Sequence, residues 1–89
     1  METIYKYQLK NTSGRYDFIF PSDAEILLVK VQRNVPCIWV KHDLDKPLVT
    51  RHFRLYGTGH PIEEERNLYH HGSFFMDNGT FVFHLFERI

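Results

Sequence analysis

Almost every apolar stretch of this chain is short, rich in Ile, Val, Phe and Tyr, and closed by Gly, Pro, Asn or Asp. That pattern specifies strands and turns rather than helices. Residues 2–9 alternate, with Tyr5, Tyr7 and Leu9 on one face, and residues 15–20 alternate with Tyr16, Phe18 and Phe20 on one face. Residues 24–33 place Leu27, Val29 and Val31 on one face and Ile26 and Leu28 on the other. Residues 37–42, 48–56, 72–76 and 80–87 complete the set, and Asp77-Asn78-Gly79 is a strong hairpin signal between the last two. Residues 60–69 read as a loop with at most one helical turn, in which Pro61 suits a first position and Glu63, Glu64 and Glu65 suit a first turn. About seven short strands at this spacing predict an all-β, antiparallel sandwich or barrel with little helix.

The 89 residues bound the size of that fold. Surface scaling gives roughly 5,500 Å² folded against about 15,500 Å² unfolded, enough burial for one modest core. A single domain over residues 1–89 is expected. Two strands are apolar on both faces: Cys37 and Trp39 oppose Ile38 and Val40, and Phe81, Phe83 and Leu85 oppose Val82 and Phe86. A lone small sandwich covers one face of each strand, so the surplus aromatic surface points to a homo-oligomer, a dimer or tetramer, the competing reading being that long side chains and the 61–71 loop cover it within the monomer.

Lys and Arg number 11, as do Asp and Glu, so the formal charge is zero. Electroneutrality excludes a polybasic DNA binder and a basic membrane-surface protein. No apolar run is long enough to span a bilayer, and residues 1–5 lack the basic and apolar regions of a signal peptide. Cys37 is the only cysteine and sits in an apolar run, which suits an inert packed thiol and a cytoplasmic location.

The charge is nevertheless uneven. Residues 34–60 carry Lys41, Lys46, Arg51 and Arg54 against Asp43 and Asp45; residues 61–89 carry Arg66 and Arg88 against Glu63, Glu64, Glu65, Asp77 and Glu87. The basic third ends in Arg51-His-Phe-Arg-Leu-Tyr-Gly-Thr-Gly-His60. In strand phase His52, Arg54 and Tyr56 share one face, and Arg51, Phe53 and Leu55 share the other. Which face looks outward is open from spacing. Gly57 and Gly59 allow a tight turn that brings N–H groups near a ligand. Those N–H groups, the Thr58 hydroxyl and an Arg fork suit a phosphate, and an aromatic such as Tyr56 suits a base. The competing reading is a plain glycine turn with solvated basic side chains. No Walker loop or dinucleotide fingerprint is present.

No catalytic constellation is legible. Ser13, Ser22 and Ser73 lack an elbow motif, and Glu63–Glu65 reads as a solvated acidic run. His42, His60, His70 and His71 have no HxH or HExxH spacing and read as surface histidines, with adjacent His70 and His71 on opposite strand faces. His84, among phenylalanines, reads as a satisfied core or interface histidine. No enzyme, metal or cofactor is expected.

Glu2-Thr-Ile-Tyr-Lys-Tyr-Gln-Leu9, Pro21…Ala24-Glu-Ile-Leu27, Val35-Pro-Cys-Ile-Trp39, Asp43-Leu-Asp-Lys-Pro-Leu48, Arg51-His-Phe-Arg54 with Gly57-Thr-Gly-His-Pro61, and Phe81-Val-Phe-His-Leu-Phe-Glu87 span the chain. On these residues it resembles a family of small phage and bacterial proteins that form a domain of unknown function. It also looks like the phage sponges that sequester the cyclic nucleotide signals of CBASS anti-phage defence. That likeness implies an oligomer that binds a cyclic dinucleotide, such as cyclic GMP–AMP, without cleaving it. Arg51 and Arg54 would then engage phosphate or a guanine edge. Gly57, Thr58 and Gly59 would form the phosphate-facing turn, with His60 donating a hydrogen bond. Tyr5, Tyr7, Trp39 or Tyr56 would stack on bases. The alternative is a protein-interaction or structural accessory module that uses an apolar sheet face.

Overall fold

A computed structural model of the chain describes residues 1–10, 13–62 and 67–89. Its regular elements are seven strands: β1 (Glu2–Gln8), β2 (Arg15–Pro21), β3 (Glu25–Gln32), β4 (Val35–Asp43), β5 (Leu48–Gly57), β6 (Leu68–Met76) and β7 (Phe81–Arg88). They form two antiparallel sheets, a three-stranded layer in the order β1-β4-β3 and a four-stranded layer in the order β2-β5-β7-β6. The fold is the all-β sandwich that the alternating runs predict. Among the described residues, no helix is long and apolar enough to cross a membrane.

The pleat explains the core. From the three-stranded layer β1 sends Tyr5, Tyr7 and Leu9 inward, and β4 sends Ile38, Val40 and His42. From the four-stranded layer β2 sends Tyr16, Phe18 and Phe20 to meet them, with Phe53, Phe74 and Leu85 from β5, β6 and β7. The rings of Tyr7, Phe18, Phe20 and Phe53 pack edge-on or stacked, with centroids 5.0–6.1 Å apart, the geometry aromatic quadrupoles prefer.

Two bulges change the phase that strict alternation predicts. In β3 the register slips between Ile26 and Leu28. Ile26, Val29 and Val31 therefore pack against the core, while Leu27 and Leu28 are exposed. The expected sharing of a face by Leu27, Val29 and Val31 is corrected by that one extra residue. In β6 the slip falls between His70 and Gly72, leaving His71 as the extra residue. β6 also begins at Leu68, so residues 68 and 69 are strand rather than the expected loop. The Glu63–Glu65 helical turn lies outside the described residues.

The hairpins follow backbone sterics. Gln32 pairs with Val35, so β3 and β4 are joined by Arg33 and Asn34 alone, both at positive φ (52° and 66°). Two left-handed residues match the right-handed twist of the strands they join. Asn78 and Gly79 have φ of 52° and 86°, and Thr80 N–H closes the turn on the Asp77 carbonyl at 3.0 Å. Gly72 lies at a close approach of the two layers: a Cβ there would lie 3.1 Å from Val29 Cβ.

Cys37 is a free, fully buried thiol. It points away from the core, in the row Gln8–Cys37–Lys30. The Lys6–Gln32 hydrogen bond of 2.9 Å joins the flanking strands across that row.

Candidate functional site

The site follows from how β5 divides its ten residues. Phe20 and Phe53 are fully buried in the core, so the pleat turns Arg51, Phe53 and Leu55 inward. His52, Arg54 and Tyr56 then line the outer face of the four-stranded sheet, and Thr58 follows in phase. Register places their neighbours. Arg15, Arg54, Phe86 and His70 form one row; Asp17, His52, Arg88 and Leu68 form a second; Tyr56, His84 and Ser73 form a third. Among the described residues this face carries three arginines against one aspartate, interleaved with aromatic rings, in a chain whose net charge is zero.

Arg54 forms the floor of that face at 7% exposed. One guanidinium nitrogen donates to the Phe53 carbonyl at 2.9 Å and lies 3.9 Å from Asp17. Asp17 also meets His52 Nδ1 at 2.8 Å. That hydrogen bond, with the His52 and Arg54 charges, holds the Asp17 carboxyl below the usual range against a smaller opposing effect of burial. Tyr56 packs edge-on against Phe86 with centroids 5.9 Å apart.

Beside them runs a chain of four polar side chains. Thr58 Oγ1 is 2.8 Å from His84 Nε2, Ser73 Oγ is 2.7 Å from His84 Nδ1, and His70 Nε2 is 3.0 Å from Ser73 Oγ. The Thr58 hydroxyl donates to the Val82 carbonyl at 3.3 Å. The two ring nitrogens of His84 bridge Thr58 and Ser73, and Ser73 links on to His70, with the donor in each contact set by the ring tautomers. His84 is thus satisfied at both ring nitrogens, but on the outer face of the four-stranded sheet and not in the core that its setting among phenylalanines suggested. The pairing of His70 with Ser73 is a consequence of the bulge at His71. Strict alternation puts positions 70 and 73 on opposite faces, so the sequence signal for this cluster was Gly72 within a strand, which marks bulges.

The Gly57–His60 segment closes a turn beside this face. Gly59 has φ of +88°, the conformation that favours glycine. Gly57 serves a different need. His60 folds its ring back over it, and a Cβ on Gly57 would lie 2.8 Å from that ring. The N–H groups of Thr58 and His60 donate to Val82 and Gly57 carbonyls, each at 3.0 Å. The turn is therefore held largely by its own donors.

The other sequence-expected residues lie elsewhere. Arg51 sits between the layers and grips Glu87 with two nitrogens, at 2.6 and 2.7 Å, and the Ala24 carbonyl with a third at 2.7 Å. Its guanidinium lies 5.8 and 5.7 Å from the Phe20 and Phe53 ring centroids. His71 Nε2 adds a 2.8 Å contact to Glu87. Burial alone would raise the Glu87 carboxyl, but hydrogen bonds from Arg51 and His71, with their charges, outweigh it and hold it below the usual range. Burial pushes the His71 imidazole down, and Glu87 only partly restores it.

Tyr5 and Tyr7 also point inward. Tyr5 stacks on His42 at 4.6 Å, and the Tyr7 hydroxyl meets His42 Nε2 at 2.8 Å. Burial raises the Tyr7 phenol, helped by neighbouring Tyr5. His42 is thus a core residue at 1% exposed, not the surface histidine its polar neighbours suggested, and His71 likewise faces the interior. Trp39 lies on the outer face of the three-stranded sheet, next to Leu28 and Lys6. Of the ten expected site residues, Arg54, Tyr56 and Thr58 share one face, with Gly57, Gly59 and His60 adjoining. Arg51, Tyr5, Tyr7 and Trp39 do not join them within one chain. Among the described residues, no group of three or more His, Cys, Asp or Glu side chains could hold a metal ion.

A family model for a domain of unknown function (DUF7352) matches residues 1–89. The chain belongs to this family. No curated protein and no solved structure matches it. The family description of DUF7352 carries no chemistry, so a functional reading stands on the face built by β5, β6 and β7.

Proposed function

We propose that this protein is a non-enzymatic sponge of the phage type, which binds a cyclic dinucleotide such as cyclic GMP–AMP in the host cytoplasm and withholds it from its receptor. The observation that carries the reading is the placement of Arg54, Tyr56 and Thr58 on one face of β5, beside Phe86 and His84. A nucleotide needs cations for phosphate and flat rings for bases. Base–aromatic stacking contributes about 1–3 kcal/mol per base, and charge-assisted hydrogen bonds to Arg are roughly twice as strong as neutral ones. Arg54, flanked across the strands by Arg15 and near Arg88, supplies the first; Tyr56 and Phe86 supply the second. The face is also locally basic, which a globally neutral chain needs if it is to take up a small dianion.

A two-fold ligand suits a site repeated by symmetry, so the sponge is a homo-oligomer in this reading. Trp39 and exposed Leu28 share a row with Lys6 on the outer face of the three-stranded sheet, exposed Ile4 lies in the next row beside Lys41, and copies pair through this row in this reading. The same row favours the second reading, a protein-interaction module indifferent to nucleotides. A thermal-shift screen against cyclic di- and trinucleotides separates the two, because a ligand that binds only the folded state raises the melting temperature by mass action. The sponge reading expects a shift with at least one cyclic dinucleotide, and recovery of that nucleotide intact by chromatography. Absence of any shift across the screen overturns it.

A further inference from the structure

A cavity of about 500 Å³ opens at the end of the sandwich remote from Arg51 and Glu87. Its walls are Leu9, Tyr16, Leu55, Phe74, Met76 and Phe83, drawn from both layers. Two of its lining residues are glycines at which a neighbour leaves no room for a Cβ. Gly14, at φ +75°, lies so close to β5 that a Cβ would stand 3.0 Å from the Leu55 carbonyl oxygen, and Gly57 yields its space to the His60 ring. Exposed Lys10 and His60, with Ser13, supply polar groups to the lining, and no carboxylate lines the cavity among the described residues. On the far side of His60 a second hollow of about 330 Å³ is bordered by Thr58, Thr80 and Phe81. The His60 ring therefore stands between two spaces that share Gly57 and Phe83.

Ligand pockets typically have volumes of about 300–1,000 Å³, apolar walls and a few polar groups that fix orientation. We propose that this cavity is a second binding site, distinct from the outer face of the four-stranded sheet, and that it takes a small organic anion with an apolar body. The apolar body lies between Leu55, Phe74 and Phe83. The anionic group stays at the mouth, where the Lys10 ammonium and the His60 imidazole meet it. Charge selects the ligand class: a cation gains no partner in this lining, and a neutral apolar molecule leaves Lys10 unused.

The test uses sodium octanoate as the probe and 1-octanol as its uncharged counterpart, read by calorimetry and thermal shift on the whole chain. Octanoate is expected to bind more tightly than octanol and to raise the melting temperature. Lys10→Gln is expected to weaken octanoate by about threefold, the loss of one exposed ion pair, and to leave octanol unchanged. Leu55→Trp fills the cavity and is expected to abolish binding of both. Met76→Phe fills it from the opposite wall and serves if Leu55→Trp loses its cooperative unfolding transition. Arg54→Ala is expected to retain octanoate binding, so the cavity and the nucleotide face fail independently. No octanoate binding by the wild type, equal binding by a folded cavity-filled variant, or no preference for octanoate over octanol would overturn the proposal.

Discussion

Arg51 and Arg54 lie three positions apart on one strand, and the pleat gives them opposite fates. Arg51 is held inside by Glu87 in a two-pronged ion pair. Removing one partner of such a pair leaves the other charge without compensation, so Glu87→Gln is expected to cost about 3 kcal/mol in urea unfolding. The same cluster sets a pH dependence. The Glu87 carboxyl is depressed in the fold, so its contribution is present at neutral pH and fades as pH falls through its folded value. The His71 imidazole is also lowered, so the unfolded chain takes up its proton first and stability falls below about pH 6.5. The melting temperature should therefore drop from pH 7 to pH 4, and His71→Gln should flatten the upper part of that slope; a wild-type profile flat to pH 4 would contradict both assignments. None of this was legible from spacing alone. The sequence showed two basic residues of opposite phase but not which phase met the core, because Phe53 and Tyr56 are both aromatic and either could have faced inward.

At the scale of elements, the strands and turns were legible because alternation and turn chemistry are local. What escaped was the phase within β3 and β6, since a bulge shifts every later side chain by one position while leaving the residue types unchanged. Leu27 moved outward for this reason, and His70 came to share a face with Ser73. Gly72 at the second bulge also sits against Val29 in the other layer. Gly72→Ala is expected to overpack that contact and cost about 1–3 kcal/mol, read as a lower melting temperature; an unchanged melting temperature would show that the layers can part freely there. The β3–β4 hairpin gives a prediction of opposite sign. Arg33 holds φ of 52°, a conformation that costs most L-residues roughly 1 kcal/mol and that Asn and Gly tolerate better. Arg33→Gly should raise the melting temperature by several degrees in a domain of this size.

The whole molecule exposes 6180 Å², above the roughly 5,500 Å² expected from its mass. Ile4, Ile19, Leu28, Leu48 and Phe75 are among the large apolar residues left at its surface. Those exposed residues are the reason for proposing a homo-oligomer, and sedimentation at micromolar concentration should give a mass at least twice 10.7 kDa; a monomer would contradict a site shared between copies. The outer face of the four-stranded sheet is the proposed nucleotide site, and isothermal calorimetry with cyclic GMP–AMP tests it most directly. Wild-type protein should bind with measurable heat. Arg54→Ala and Tyr56→Ala should each weaken binding by at least about tenfold, the equivalent of 1.4 kcal/mol, while retaining the wild-type circular dichroism spectrum. Equal binding by the folded variants, or no heat from the wild type, would contradict it.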